Sequence, residues 1–293
     1  MKHRAKHRWE IPLRLSPLLL PFVAVFGCGL LITLLQSFGI WMFSYRYEDM
    51  LFAYKELFGS RWFYQSALFS LYVAAISATI AVVLGTLLAY QLWRLPQRLH
   101  TILAMYKIPL ILPHIGVGFL AVILLAKTGV FSAILHSLGL LETFAAFPNL
   151  LYGSYGVDLI GAYVYKETPF VMIMIYGMLC RLDRRLLDTG HMLGASSLRI
   201  FFSLVVPYLL PIINTSFIIL FVYSFGAFDL PFILGDSYPG MLAIRVYEYF
   251  FQKDLVMRPL AMALLSLMFL FSTLFIVGYL HFVRRVALEV RKL

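Results

Sequence analysis

The sequence predicts an all-α, polytopic membrane protein, a helical bundle of six transmembrane helices. Of the 293 residues, 62% are hydrophobic and only 13% charged, which places the chain in the membrane class and excludes a soluble globular domain. The apolar residues fall into runs of about 20 or more, the length a helix needs to cross the hydrocarbon. The lysines and arginines behind the net charge of +10 sit at the ends of those runs, as membrane anchors do, so the basic balance does not point to nucleic acid.

The first stretch, residues 1–14, carries Lys2, Arg4, Lys6, Arg8 and Arg14 and reads as a cytoplasmic N-terminal tail. Residues 17–38 form the first span; a signal peptide would have a shorter apolar core and a small-residue cleavage site, neither of which is evident. Between Gly39 and Phe63 the chain is mixed and aromatic, with Trp41, Tyr45, Tyr47 and Trp62 suited to an interfacial belt. The second span runs from Tyr64 to Trp93 and stops at Arg94 and Arg98. The third runs from Thr101 to Ala126 and holds Pro109 and Pro113 one turn apart. Prolines inside a span free backbone carbonyls, which is tolerable only against protein or a wet cavity, so both are candidates for lining a substrate pathway.

Phe131 to Leu141 is too short to cross and amphipathic enough to lie at an interface. The fourth span is Tyr155 to Cys180, the fifth Pro207 to Phe228 and the sixth Leu260 to Val283. A C-terminal tail, 284–293, carries Arg284, Arg285, Arg291 and Lys292. With the N-terminus inside, the expected cytoplasmic segments hold about twice as many Lys and Arg as the opposite side, so both termini are expected in the cytoplasm. The cysteines, Cys28 and Cys180, read as packing residues rather than a disulfide framework or thiolate metal site.

Ionisable residues inside spans are the default candidates for a transport path, because each is costly in hydrocarbon. Lys166 and Glu167 lie near the middle of the fourth span. Neighbours on a helix point about 100° apart, so the two cannot pair along one face and each needs another helix or water. Both a structural and a pathway role stand open for them. Asp229, at the outer end of the fifth span, could with Glu167 attract a cation.

Between the fourth and fifth spans, Leu187 to Pro211 reads as two short helices at an angle, turned by Gly194-Ala195-Ser196-Ser197. Such a knob projects from the membrane toward a soluble partner. Its spacing resembles the EAA loop of MetI-like type I ABC importer permeases, whose pattern is Glu-Ala-Ala, three residues, Gly, nine residues, Ile, one residue, Leu-Pro. Asp188-Thr189-Gly190 stands at the Glu-Ala-Ala position, Gly194 follows three residues on, Leu204 takes the Ile position and Val206-Pro207 closes the pattern. Lys166-Glu167-Thr168-Pro169-Phe170 is similar to the family's Lys-x-x-Pro-Phe segment. Together with Gly85, Ala89 and Tyr90 of the second span, the similarity covers a permease domain over about 64–283.

The resemblance implies a permease subunit of an ATP-driven importer in a bacterial inner membrane. The coupling loop, 187–207, would carry the ATPase contact through Asp188, Thr189, Gly190, Gly194, Ala195, Ser196, Leu204 and Pro207. It implies two copies of a cytoplasmic ABC ATPase, a second and homologous permease chain, an extracytoplasmic solute-binding protein and membrane lipid as partners. Because Lys166 matches a family position, a structural role for it gains weight. Phe225 to Gly235 resembles the Gly-x-Phe-x-x-Pro-x-x-Leu-Gly run of spermidine/putrescine-type permeases, which implies a polyamine or related small organic cation. Sugar, phosphonate, thiamine and iron permeases are the alternatives within the class.

Other chemistry finds no support in the residues. A phosphate-binding loop needs Gly, four residues and Gly-Lys-Ser/Thr; Ala126-Lys127-Thr128 lacks both glycines, so ATP and Mg are expected on a separate ATPase chain. The histidines form no pair inside a helix apart from His3 and His7, so no metal site is expected. A Ser elbow is absent, and no enzyme activity is expected. A six-helix secondary transporter, with Lys166 and Glu167 as its coupling site, is the reading from another class, but it leaves the loop spacing unexplained.

Overall fold

The computed structural model describes residues 2–40, 49–96, 102–153, 155–235 and 239–290. Trp41, Tyr45, Tyr47, Arg46, Arg98, Thr101, Arg291 and Lys292 lie outside the described residues. Every regular element among the described residues is helical. In chain order these are α1 (Lys2–Ser37), α2 (Phe52–Gly59), α3 (Arg61–Arg94), a 3-10 turn (Ile102–Lys107), α4 (Ile108–Ile111), α5 (His114–Leu125), α6 (Val130–Ser137) and α7 (Val157–Leu179). They continue as α8 (Arg185–Met192), α9 (Ser197–Ile200), α10 (Val206–Gly226), α11 (Asp229–Leu234), α12 (Leu242–Tyr247) and α13 (Arg258–Val290).

Among the described residues five stretches are long and apolar enough to cross a membrane: Leu15–Ser37, Arg61–Arg94, His114–Ser137, Ser197–Gly226 and Leu255–Val283. The expected fourth span, α7, is 23 residues long, about 34 Å at 1.5 Å per residue. It falls short on composition because it carries Asp158, Lys166 and Glu167, all buried. A helix enclosed by other helices can hold polar groups that lipid would not accept. Over the expected tail, 1–14, α1 starts at Lys2 and continues into the apolar stretch.

By its internal contacts the chain divides into two units, residues 1–63 with 245–275 and residues 64–244 with 276–293. In the first unit Ser37 Oγ and Tyr54 Oη share a 2.8 Å hydrogen bond that ties α2 to the end of α1. Lys55 donates to Asp49 at 2.5 Å and holds that carboxyl below its ordinary range. Trp62 stacks on Tyr249 with the Arg245 guanidinium over its ring. Cys28 and Cys180 are exposed rather than packed; the apolar stretch of α1 around Cys28 has no buried share at all, and Cys180 follows the last turn of α7.

The second unit is built around α7, which touches α4, α5, α10 and α11. Its other neighbour, α3, presents a stripe of small residues: Ser70, Ala74, Ser77, Ala78, Ala81, Gly85 and Ala89 are all buried. Without a hydrophobic drive between helices in lipid, close backbone approach supplies the attraction, and small residues permit it. The approach is tightest at Gly85, where a Cβ would stand 2.6 Å from Val171 Cβ. Toward the start of both helices Phe69, Val73, Val117, Leu159, Tyr163 and Leu230 belong to the apolar core. Ser70 Oγ accepts the buried N–H of Leu242 at 2.9 Å.

The expected third span is broken. At Leu112 and Pro113 the backbone turns extended, with ψ near 133° and 150°. Proline disfavours the helical conformation at the residue before it and contributes no N–H of its own. The apolar stretch therefore starts at His114 instead of Thr101 and includes α6, the segment expected to be a separate interfacial helix.

Candidate functional site

Two features concentrate chemistry, the loop between α7 and α10 and a buried polar cluster on α7. In the loop, α8 carries Asp188, Thr189, Gly190 and His191, and its amphipathic sequence leaves Asp188 and Thr189 exposed. Thr189 Oγ1 donates back to the carbonyl of Arg185 at 2.8 Å. Leu193 and Gly194 turn the chain, Gly194 at φ +81°, a left-handed conformation that glycine adopts without penalty. Ser196 then caps α9 by accepting the N–H of Arg199. A Cβ on Gly194 would meet nothing within 4 Å, whereas one on Gly190 would stand 3.0 Å from Ile200 Cδ1. The turn therefore belongs to Gly194 and the close approach of α8 to α9 belongs to Gly190.

Leu204 and Pro207 sit elsewhere. From Ser197 the chain is helical without interruption to Gly226, through a π-helical stretch at Phe201–Val205 in which Val206 N–H bonds Phe201 O. Pro207 has no N–H to give Ser203, and a π-turn absorbs such a break in the ladder. Half-buried Leu204 and exposed Pro207 thus belong to the helix leaving the loop and not to its tip. The tip is apolar: Met192 is 88% exposed, Leu193 82% and Leu198 69%.

The base of the loop is anchored on α3. Arg184 Nη2 donates to the carbonyl of Trp93 at 3.1 Å and its guanidinium lies over the Trp93 ring, while Tyr90 packs on Phe201 at 4.7 Å. Sequence reasoning did not find this link, nor the three tip residues; an adjacent Met-Leu pair just ahead of a turn glycine was the available signal.

In the second cluster the two charged neighbours of α7 go to different helices. Lys166 Nζ donates to the carbonyls of Pro109 at 2.7 Å, Leu110 at 3.1 Å and Leu112. The end of a helix leaves its last carbonyls without internal partners, and Pro113 has no N–H to offer Pro109. Three ammonium protons meet three such carbonyls. Glu167, 3% exposed, turns the other way and accepts from Ser224 Oγ of α10 at 2.6 Å. Its Oε2 is buried without a hydrogen-bond partner, as is Tyr163 Oη one turn earlier on the same face.

Lys166 and Glu167 line a cavity of about 270 Å³ with Leu110, His114, Phe170, Ile219, Leu220 and Tyr223. The rings of His114 and Tyr223 meet 5.1 Å apart. The structure therefore brings together Lys166, Glu167 and the backbone at Pro109. Pro113 is exposed at the helix break, and Asp229 is exposed at the start of α11, outside the cavity wall. Ser224, Tyr223 and His114 were not foreseen; a serine in the apolar run of α10 was the one sequence signal for them.

Comparison with known proteins gives one family model and a set of relatives. The model described as "Binding-protein-dependent transport system inner membrane component" matches residues 81–288. The ferric transport system permease protein FbpB of Actinobacillus pleuropneumoniae is 26% identical over 215 residues, 72% of this chain and 30% of that protein. This chain thus spans about a third of the length of the ferric permeases it matches. The molybdenum transport system permease protein ModB of Azotobacter vinelandii is 26% identical over 61% of this chain and 77% of its own. The spermidine/putrescine transport system permease protein PotB of Escherichia coli (strain K12) is 27% identical over 60% and 62%. Among solved structures, a bacterial alginate ABC transporter in complex with alginate pentasaccharide-bound periplasmic protein aligns over 97% of both chains with a TM-score of 0.76 at 17% identity. The MetNI methionine ABC transporter aligns over 76% of this chain and 95% of its own with a TM-score of 0.54, also at 17% identity.

Proposed function

The chain belongs to the family of binding-protein-dependent transport system inner membrane components, and from that membership we propose that it is the membrane-spanning permease subunit of an ATP-driven ABC importer. The observation that carries the proposal is the loop between α7 and α10. It pairs an apolar tip of Met192, Leu193 and Leu198 with a base held by Arg184 on Trp93. An apolar knob on a rigid base suits a groove in a soluble partner, and Asp188 offers that partner a carboxylate. ATP and Mg are bound by the partner, two copies of a cytoplasmic ABC ATPase. Closure of the two ATPases moves α8 and α9, and the uninterrupted helix from Ser197 carries that motion into the bundle.

A second, homologous permease and an extracytoplasmic solute-binding protein complete the assembly in the bacterial inner membrane. The substrate is a polyamine or related small organic cation, which the likeness of residues 225–235 to the spermidine/putrescine-type run supports; the relatives include ferric, molybdenum and spermidine/putrescine permeases alike, and sugar, phosphonate, thiamine and iron are the alternatives. The test is mild-detergent purification of the tagged chain from its native membrane, with identification of all co-eluting chains. A P-loop ATPase and a second permease are expected, and ligand screening of the accompanying binding protein is expected to return an amine. A chain that elutes alone even after cross-linking, and moves solute by itself in proteoliposomes, is a secondary transporter and overturns the proposal.

A further inference from the structure

Lys166 fixes how α7 runs past α5. Its ammonium holds the carbonyls of Pro109, Leu110 and Leu112, just ahead of α5, so the start of α5 lies beside residue 166 and its far end beside the start of α7. Between the two helices, at the end of α7 away from the α8–α9 loop, lies a second cavity of about 360 Å³. Val117, Leu120, Leu124 and Leu125 line one side of it, Val157 and Gly161 the other. A Cβ on Gly161 would meet nothing within 4 Å, and Val157 and Tyr165, one turn to either side, are exposed. The cavity is therefore a groove open along the surface of α7.

The groove offers an occupant hydrocarbon and no charge. Asp158 is the ionisable carboxylate among its lining residues, and backbone takes both of its oxygens, the N–H of Tyr152 donating to Oδ2 at 2.8 Å and that of Leu159 to Oδ1 at 2.9 Å. A site with so few polar partners does not hold ordered water. From Val117 to Leu125, and from Val157 to Tyr165, the groove runs about 12 Å along each helix at 1.5 Å per residue. That is close to the depth of one leaflet, half of the roughly 30 Å hydrocarbon core. A helix with its side chains is about 10 Å across, and the same length of one would take roughly twice the cavity's volume or more, so the groove suits a chain as thin as an acyl tail. Charge waits at the mouth. Lys127 stands just beyond Leu125 and is exposed, and among the described residues no carboxylate pairs with it. Tyr152 and Tyr155, exposed just before α7, are of the type that settles at headgroup level.

We propose that this groove holds an acyl chain of a bilayer phospholipid whose phosphate pairs with Lys127. In the proposed orientation that lipid belongs to the outer leaflet. The site goes beyond the permease reading and does not depend on which solute is carried.

The experiment uses the tagged full-length chain with its co-purifying partners, held in nanodiscs doped with a phosphatidylglycerol that carries a photoactivatable diazirine on its acyl chain. After irradiation the adducts are mapped by peptide mass spectrometry. The apolar stretch of α1, which has no buried share, reports ordinary contact with bulk lipid. Adducts on residues 117–125 and 157–165 are expected well above that level. Lys127→Gln is expected to cut them about fivefold, the worth of one lysine against an anionic headgroup, and Gly161→Leu to bring them down to the level of α1 by filling the groove. Unchanged co-elution of the partner chains is the folding control, and the exposed Lys127 variant keeps the test open should the Gly161 variant misfold. Groove labelling no higher than that of α1 in the native chain overturns the site. So does capture of a second protein chain by p-benzoylphenylalanine placed at Tyr165, which would make the groove a protein-packing face. Labelling unmoved by Lys127→Gln overturns the phosphate contact.

Discussion

Lys166 closes the broken third span by giving its three protons to the carbonyls of Pro109, Leu110 and Leu112. In hydrocarbon an unsatisfied carbonyl has no water to turn to. Lys166→Met is therefore expected to lower stability by several kcal/mol, at about 1–3 kcal/mol per buried group left without a partner, read as a fall in the detergent thermal midpoint. Lys166→Arg keeps the charge and is expected to recover part of the loss; a midpoint unmoved by the methionine variant defeats the assignment. Gly194 makes a different case, since a methyl group there meets open space and only the φ of +81° resists it. Gly194→Ala should cost about 1–2 kcal/mol locally and Gly194→Asn less. Amide exchange over residues 185–200 is the measurement, and faster exchange in the alanine variant alone is the expected result. The sequence identified Gly194 as the turn but could not separate its role from that of Gly190, because the Ile200 contact that distinguishes them forms only when α8 folds onto α9.

Helix against helix, the small-residue stripe of α3 determines how closely α7 can lie. A Cβ at Gly85 would overlap Val171, and overpacking of this kind costs roughly 1–3 kcal/mol. Gly85→Val is expected to lower the thermal midpoint, and pairing it with Val171→Gly should restore part of the loss; the absence of any coupling in that double-mutant cycle would count against the contact. The loop offers a parallel experiment in function. Met192→Asp with Leu193→Asp places two charges on the exposed tip, where they touch no other part of this chain's core. The expected outcome is normal expression with loss of ATPase co-elution, whereas retained co-elution would move the docking surface elsewhere. At this scale the sequence revealed the turn at Gly194-Ala195-Ser196-Ser197 through its spacing, and only the structure showed that Ser196 caps α9. The sequence did not reveal that Leu204 and Pro207 lie in a continuous helix, since a π-turn has no local pattern that separates it from a helix start at the proline.

Across the whole molecule, apolar runs and basic ends foretold the membrane class, and among the described residues five stretches meet the length and composition of spans. The proposed orientation puts the α8–α9 loop in the cytoplasm. Met192→Cys, with Cys28 and Cys180 replaced by serine, should react with a membrane-impermeant maleimide in inside-out vesicles and not in intact cells; the reverse pattern inverts the topology. The sequence by itself determined the helical membrane class, because hydropathy and spacing are local properties written along the chain. Only the tertiary structure decided that the third span breaks at Pro113 against Lys166, that Glu167 turns to Ser224 and keeps one oxygen bare, and that the two neighbours face different helices. Those decisions join residues 57 positions apart, and in a medium without water each buried polar group must find its partner by packing, which no periodicity in one segment records.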